Sequence, residues 1–156
     1  MSKPILTVVP LGVTGPEYLT EEAKHILLSA KCIVLRTSRL ASISWFQENG
    51  LTWESLDDFY DRFEDFDEMH AAMAVKLWKK ASESGPCVYC VADPRSDISV
   101  RELIRTKPQN ADLCIVPGVS FFDLYSSVCP DIILEDAITI LPAASAVSTV
   151  YDSARP

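Results

Sequence analysis

Basic residues are in deficit: Lys and Arg total 14 against 22 Asp and Glu, a net charge of −8 over 156 residues. Binding phosphates needs the opposite balance, so nucleic acid is not an expected partner. Long apolar runs are also missing. None approaches the ~20 residues of a membrane helix, so no membrane partner is expected either. Histidine occurs twice, as His25 and His70, and neither sits in a clustered ligand set, so no metal is expected. No loop carries G-x-G-x-x-G or G-x-x-x-x-G-K-[ST], which leaves dinucleotide-fingerprint and P-loop chemistry without support. The five cysteines, Cys32, Cys87, Cys90, Cys114 and Cys129, are an odd number. Cys87 and Cys90 have C-x-x-C spacing, but they lie in an apolar run that reads as a strand. Residues three apart in a strand point to opposite faces, so the two thiols should diverge. They read as small core-filling residues in a reducing compartment.

What is present is globular. Hydrophobic residues make up 48% and charged residues 23%, which excludes a disordered chain and a collagen-like fibre. The length is one domain's worth and can bury a sizeable core. Near the N-terminus, the apolar run from Ile5 to Val9 meets Pro10 and Gly12 as a strand meets a turn. That is not the pattern of an export signal, and the expected location is the cytoplasm.

Ile5 to Val9, Cys32 to Leu35, Cys87 to Val91 and Leu113 to Val116 read as strands, with weaker strand signals at Leu51 to Leu56 and Ile138 to Leu141. Between them the spacing turns helical. Thr20 caps a helix with Glu21 and Glu22 in its first turn. Ser38 opens a second helix that ends at Asn49-Gly50. A third runs to about Ser82, with Phe59, Phe63, Phe66, Met69, Met73 and Leu77 as a core stripe. Ser96 or Asp97 caps a helix through Ile104, and Ser120 caps one through about Val128. Strands alternating with helices, the best strands being continuous apolar runs, predict an α/β fold. Its mostly parallel, doubly wound sheet carries helices on both faces. Seven carboxylates between Asp57 and Glu68 against Arg62 give −6 in that segment alone, a solvated helix face opposite the Phe stripe. His25 and His70 read as structural or exposed, and Tyr89 and Tyr125 as core or pocket walls.

Ligands of such sheets bind in the loops that follow the strands' carboxyl ends. Three loops stand out: Pro10 to Thr20, Ala92 to Asp97, and Pro117 to Asp123. Their sequences, Val8-Val9-Pro10-Leu11-Gly12-Val13-Thr14-Gly15-Pro16-Glu17-Tyr18-Leu19-Thr20, Val88-Tyr89-Cys90-Val91-Ala92-Asp93-Pro94 and Val116-Pro117-Gly118-Val119-Ser120, resemble in order and spacing those of the tetrapyrrole methylases. These are S-adenosylmethionine-dependent enzymes with an opening loop of the form G-x-G-P-G-D-P-x-x-L-T, a strand ending in Gly-Asp-Pro, and a third loop P-G-[VI]-[ST]. Within the family, Leu56-Asp57-Asp58-Phe59-Tyr60 is similar to the Phe/Leu-Asp-Asp-x-Tyr stretch of the methylase-like domain of MazG-type nucleotide pyrophosphohydrolases.

The resemblance implies the N-terminal lobe of a two-lobed methyltransferase over residues 1–142, and a linker towards a C-terminal lobe over residues 143–156. It implies S-adenosylmethionine as cofactor and a small-molecule substrate, a tetrapyrrole among the candidates, in a homodimer. The implied cofactor contacts are Pro10, Gly12, Ala92, Asp93, Pro94, Gly118, Val119 and Ser120. Of these, Asp93 is the carboxylate best placed near a sulfonium cation. Catalytic residues are not assigned. The chain departs from the pattern at Pro10, where the family has its first Gly, and at Thr14-Gly15 in place of Gly-Asp. A third departure is Ala92-Asp93-Pro94, one residue short of Pro-Gly-Asp-Pro. Proline fixes φ and removes an N–H, so the first loop should differ from the family's shape. These departures support an alternative, a non-catalytic ligand-sensing or dimerisation module associated with a MazG-type pyrophosphohydrolase.

Overall fold

A computed structural model describes residues 3–135 and 138. Five strands, β1 (Ile5–Pro10), β2 (Ile33–Leu35), β3 (Glu54–Ser55), β4 (Cys87–Val91) and β5 (Asp112–Ile115), form one sheet in the order β3-β2-β4-β1-β5. Every pairing is parallel. The helices are α1 (Glu21–Ser29), α2 (Ile43–Glu48), α3 (Asp58–Arg62), α4 (Phe66–Ser84), α5 (Ile98–Arg105) and α6 (Phe121–Val128). The fold is the doubly wound α/β sheet that the alternation predicts.

The period of two along each strand divides the interior into two cores. Leu6 and Val8 of β1, Val34 of β2 and Cys87, Tyr89 and Val91 of β4 face Met69, Met73 and Leu77 of α4 and Val100 and Leu103 of α5. Val9, Ile33, Leu35, Val88 and Cys90 face the other way, onto Ala23 and Leu27 of α1 and Phe46 of α2. Cys87 and Cys90 therefore lie in opposite cores. β4, between β1 and β2, is buried throughout. β5 is not covered on both faces as its apolar run suggests. It lies at the sheet edge, with Asp112, Cys114 and Ile115 exposed.

Local chemistry sets most helix starts. Thr20 Oγ1 accepts the Ala23 N–H at 3.1 Å and caps α1. Asp97, not Ser96, caps α5, accepting the Ser99 N–H at 2.9 Å. Ser120 and Asp123 form a reciprocal capping box at α6. Three expectations are corrected. Ser38 does not open α2, because its N–H is held by Asp57 Oδ2 at 2.9 Å and the chain stays in a loop until Ile43. The strand expected over Leu51 to Leu56 shortens to Glu54–Ser55.

The single long helix divides in two. Phe63 is extended (φ −120°, ψ 130°), and Asp65 restarts the chain by accepting the N–H groups of Asp67 and Glu68. Phe59 and Phe63 stack at 5.7 Å, but Phe66 lies beyond the break and is 66% exposed, outside the core stripe. The acidic segment is accordingly split between two helices instead of forming one face. The strand expected at Ile138 to Leu141 lies outside the described residues apart from Ile138, as does the segment 143–156. No helix among the described residues is long and apolar enough to cross a membrane.

Candidate functional site

All strands run the same way, so the loops after β4, β1 and β5, three neighbouring strands, emerge side by side at one end of the sheet. Pro10 ends β1 opposite Val91, and the next residue, Leu11, donates its N–H to Val91 O at 2.8 Å. Gly12 then turns the chain at φ +76°, a conformation suited to glycine, and a Cβ there would lie 2.6 Å from Tyr18 Cβ. Ser42 Oγ donates to Leu11 O at 2.7 Å and fixes the loop to the start of α2.

Pro10 has a partner in the third loop. Its ring fills the space beside Gly118, where a Cβ would come within 2.7 Å of Pro10 Cβ. Loops one and three are thus in contact through a residue pair that only a glycine on one side permits.

Asp93 joins loops two and three. It is buried, its Oδ1 accepts the Arg95 N–H at 3.0 Å, and its Oδ2 accepts the Phe121 N–H at 3.0 Å. The first contact is an Asx turn that shapes its own loop. The second reaches across to the first turn of α6, where a carboxylate is favoured by the helix dipole. Ser120 is similarly engaged. Its hydroxyl donates to Asp123 Oδ2 at 2.6 Å, accepts the Asp123 N–H at 3.2 Å, and receives Arg95 Nη1 at 3.3 Å. The bonds from the Ser120 hydroxyl and N–H hold the Asp123 carboxyl below its ordinary range.

Asp93, Pro94, Arg95, Ile115, Val116, Pro117 and Gly118 line a cavity of about 260 Å³. The structure therefore brings Pro10, Asp93, Pro94, Gly118 and Ser120 together. Ala92 lies on a neighbouring cavity, Val119 is half-buried between Gly118 and Ser120, and Gly12 packs on Tyr18 within its own loop.

That neighbouring cavity, about 440 Å³, adds residues from outside the three loops. Arg36, Phe66, His70, Asp93, Asp97 and Phe121 are among its walls. Arg36 follows β2 directly. Its Nε meets Asp97 Oδ2 at 3.3 Å, its Nη2 meets His70 Nε2 at 3.1 Å, and its guanidinium lies over the Tyr60 ring at 5.1 Å. Because Arg36 can only donate, His70 Nε2 accepts and the ring proton belongs on Nδ1. His70 is 5% exposed, and Nδ1 has no hydrogen-bond partner among the described residues. Burial, reinforced by the Arg36 charge, pushes the His70 pKa below its ordinary value of 6.5, which favours the neutral ring. The sequence signal for Arg36 was its place at the carboxyl end of a strand. His70, on α4, had none. His25 is exposed, Tyr89 is core and Tyr125 is exposed. No group of three metal-ligating side chains occurs among the described residues.

The smaller cavity lies below the ~300–1,000 Å³ of typical small-molecule pockets. Its lining sets apolar residues at the end of β5 beside the buried Asp93 carboxylate and Arg95.

No curated protein sequence matches the chain. Among solved structures, uroporphyrin-III-C-methyltransferase from Thermus thermophilus is similar, with a TM-score of 0.59 and 18% identity. The similarity covers 82% of this chain and 54% of that one, so the chain spans about half that enzyme's length. At that identity the likeness speaks for the fold. The family Tetrapyrrole (Corrin/Porphyrin) Methylases matches over residues 5–130, which include all three loops. On that match and the shared parallel fold, the chain belongs to the tetrapyrrole (corrin/porphyrin) methylases.

Proposed function

We propose that this chain is the N-terminal lobe of an S-adenosylmethionine-dependent methyltransferase. The observation that carries the reading is the meeting of three loops at one sheet edge, through Pro10 on Gly118 and Asp93 on the α6 N-terminus. The small volume between them fits one wall of a cleft, with a second lobe closing it. The exposed apolar groups of α6 and β5 support that arrangement, because they leave apolar surface uncovered among the described residues.

S-adenosylmethionine would supply an electrophilic methyl group on a sulfonium. This chain's residues would position it. Asp93 places negative charge beside the cavity while its oxygens hold two backbone N–H groups, so the loops and the charge are fixed together. Methyl transfer depends on alignment more than on a dedicated base. Pro10, Gly12, Gly118 and Ser120 would contribute by fixing loop shape, and Ala92, Pro94 and Val119 by lining. The larger cavity, with Arg36 and His70, would receive the methyl acceptor, a small molecule of which tetrapyrroles are one class. A homodimer in the cytoplasm completes this reading.

One observation favours a second reading. Both Asp93 oxygens and the Ser120 hydroxyl are occupied inside the lobe. Loops so self-satisfied suit a ligand-sensing or dimerisation module associated with a MazG-type nucleotide pyrophosphohydrolase. Calorimetric titration of S-adenosylmethionine into a chain extended through a second lobe separates the two. Saturable binding that weakens with Asp93→Asn supports the methyltransferase. No binding at millimolar ligand leaves the second reading.

A further inference from the structure

The opposite end of the sheet, away from the three loops, carries a pair of thiols. β2 and β4 are adjacent and parallel, with Ile33 opposite Val88, so Cys32 and Cys87 stand opposite each other one residue earlier. The Val88 N–H donates to Cys32 O at 2.8 Å and locks that register. Both side chains turn to the α4 side: Cys87 belongs to that core and Cys32 packs against it. Their Sγ atoms are 3.0 Å apart and both are free thiols. Neighbouring strands lie ~4.8 Å apart, inside the ~4.4–6.8 Å span of Cα atoms that a disulfide bridges. Side-chain rotation alone can therefore bring the sulfurs to bonding distance.

The two thiols differ in access. Cys87 is 1% exposed, whereas Cys32 opens onto a surface cavity of about 340 Å³ bordered by Lys31, Glu54 and Lys80. Burial pushes the Cys87 thiol pKa far up, so it is the poorer first nucleophile. The Lys80 ammonium, paired with Glu54, borders the same opening, through which a small disulfide meets Cys32 before Cys87.

We propose that Cys32 and Cys87 form a reversible dithiol–disulfide site that reacts with low-molecular-weight disulfides. The Cys32 thiol gives its proton to water, and its sulfur attacks one sulfur of the small disulfide, making a mixed disulfide and expelling one small thiolate, which takes up a proton from water. Cys87 then attacks the Cys32 sulfur, its proton passes to water or the leaving thiolate, and the second small thiol departs. In total, two protein thiols are oxidised to one Cys32–Cys87 bond and one small disulfide is reduced to two thiols. The bond would clip β2 to β4 at their starts. The far end of the same β2 leads into Arg36, so the clip and the candidate acceptor cavity share a strand.

The test is equilibration of the full chain with mixtures of oxidised and reduced glutathione, acid quenching, alkylation and peptide mass spectrometry. The expected product is a monomer in which the Cys32 and Cys87 peptides are linked, the linked pair lighter by two hydrogen atoms than the two peptides apart. Reducing the mixture reverses it. Exposed Cys114 and Cys129 serve as internal controls that take up glutathione without linking to the pair. Cys87→Ser should accumulate the Cys32–glutathione adduct that the natural protein resolves. If the natural protein accumulates that adduct, or leaves both thiols alkylatable across the oxidising range, the proposal is overturned. Both results are read on the natural protein, so they stand even if the variant fails to fold.

Discussion

β4 and β5 flank β1 on either side, and both are short apolar runs in parallel register with it. β4 has a strand on each side and helices over both faces, and all five of its residues are buried. β5 has β1 alone, three of its four residues are exposed, and α6 beyond it buries none of its own. Phe121, Tyr125 and Val128 of α6, with Ile133 and Leu134 after it, form a run of exposed large apolar groups. An apolar strand marks a surface to be covered. It does not say which part of a protein covers it. Among the described residues, β4 is finished by helices on both faces, whereas β5 and α6 present apolar side chains outward.

Substitutions can break or sharpen that contrast. Leu77, fully enclosed on α4 beneath the central strands, should cost about 2–5 kcal/mol when truncated in Leu77→Ala, read by urea denaturation. A loss below about 1 kcal/mol would mean the central core is not as closed as described. Next in size is Gly118→Ala, expected to destabilise by about 1–3 kcal/mol because its Cβ meets the Pro10 ring. Pro10→Gly in the same chain should recover most of that, a non-additivity that measures the contact between loops one and three. Equal and additive effects would separate those loops.

A smaller effect concerns acid. His70 is held neutral in the fold, with its pKa below the unfolded value of 6.5. The unfolded chain then binds the extra proton first, so this contribution is full above pH 6.5 and is lost as pH falls from there through the folded pKa. His70→Asn should remove that part of the slope from stability measured against pH. An unchanged slope would place the titration elsewhere. Smallest of all, Val128→Ser on the exposed flank should change stability by no more than about 0.5 kcal/mol. A loss near that of Leu77→Ala would mean α6 is packed after all.

Much of the site was legible because it is local. The loops follow from their place after apolar strands, and capping chemistry within three residues points to Ser120 and to one of Ser96 and Asp97, of which the structure uses Asp97. What escaped depends on distance along the chain. Arg36 meets His70 34 residues later and Asp97 61 residues later, and nothing in either neighbourhood announces the other. The break at Phe63 escaped because Phe59, Phe63 and Phe66 keep helical spacing through it, while Asp65 captures two N–H groups and restarts the helix. Phe66 is left outside the core as a result.

Sequence by itself determined the class of fold, because strand and helix periods and caps depend on near neighbours. It also determined that no loop is built as a dinucleotide fingerprint or P-loop, and that the charge surplus is negative. Only the tertiary structure decided that Pro10 lies on Gly118, that Asp93 ties the second loop to α6, and that Cys32 stands against Cys87. Strand order is the physical reason. Placing β4 between β1 and β2 sets residues dozens of positions apart at bonding distance, and hydrophobic pattern alone does not choose that order.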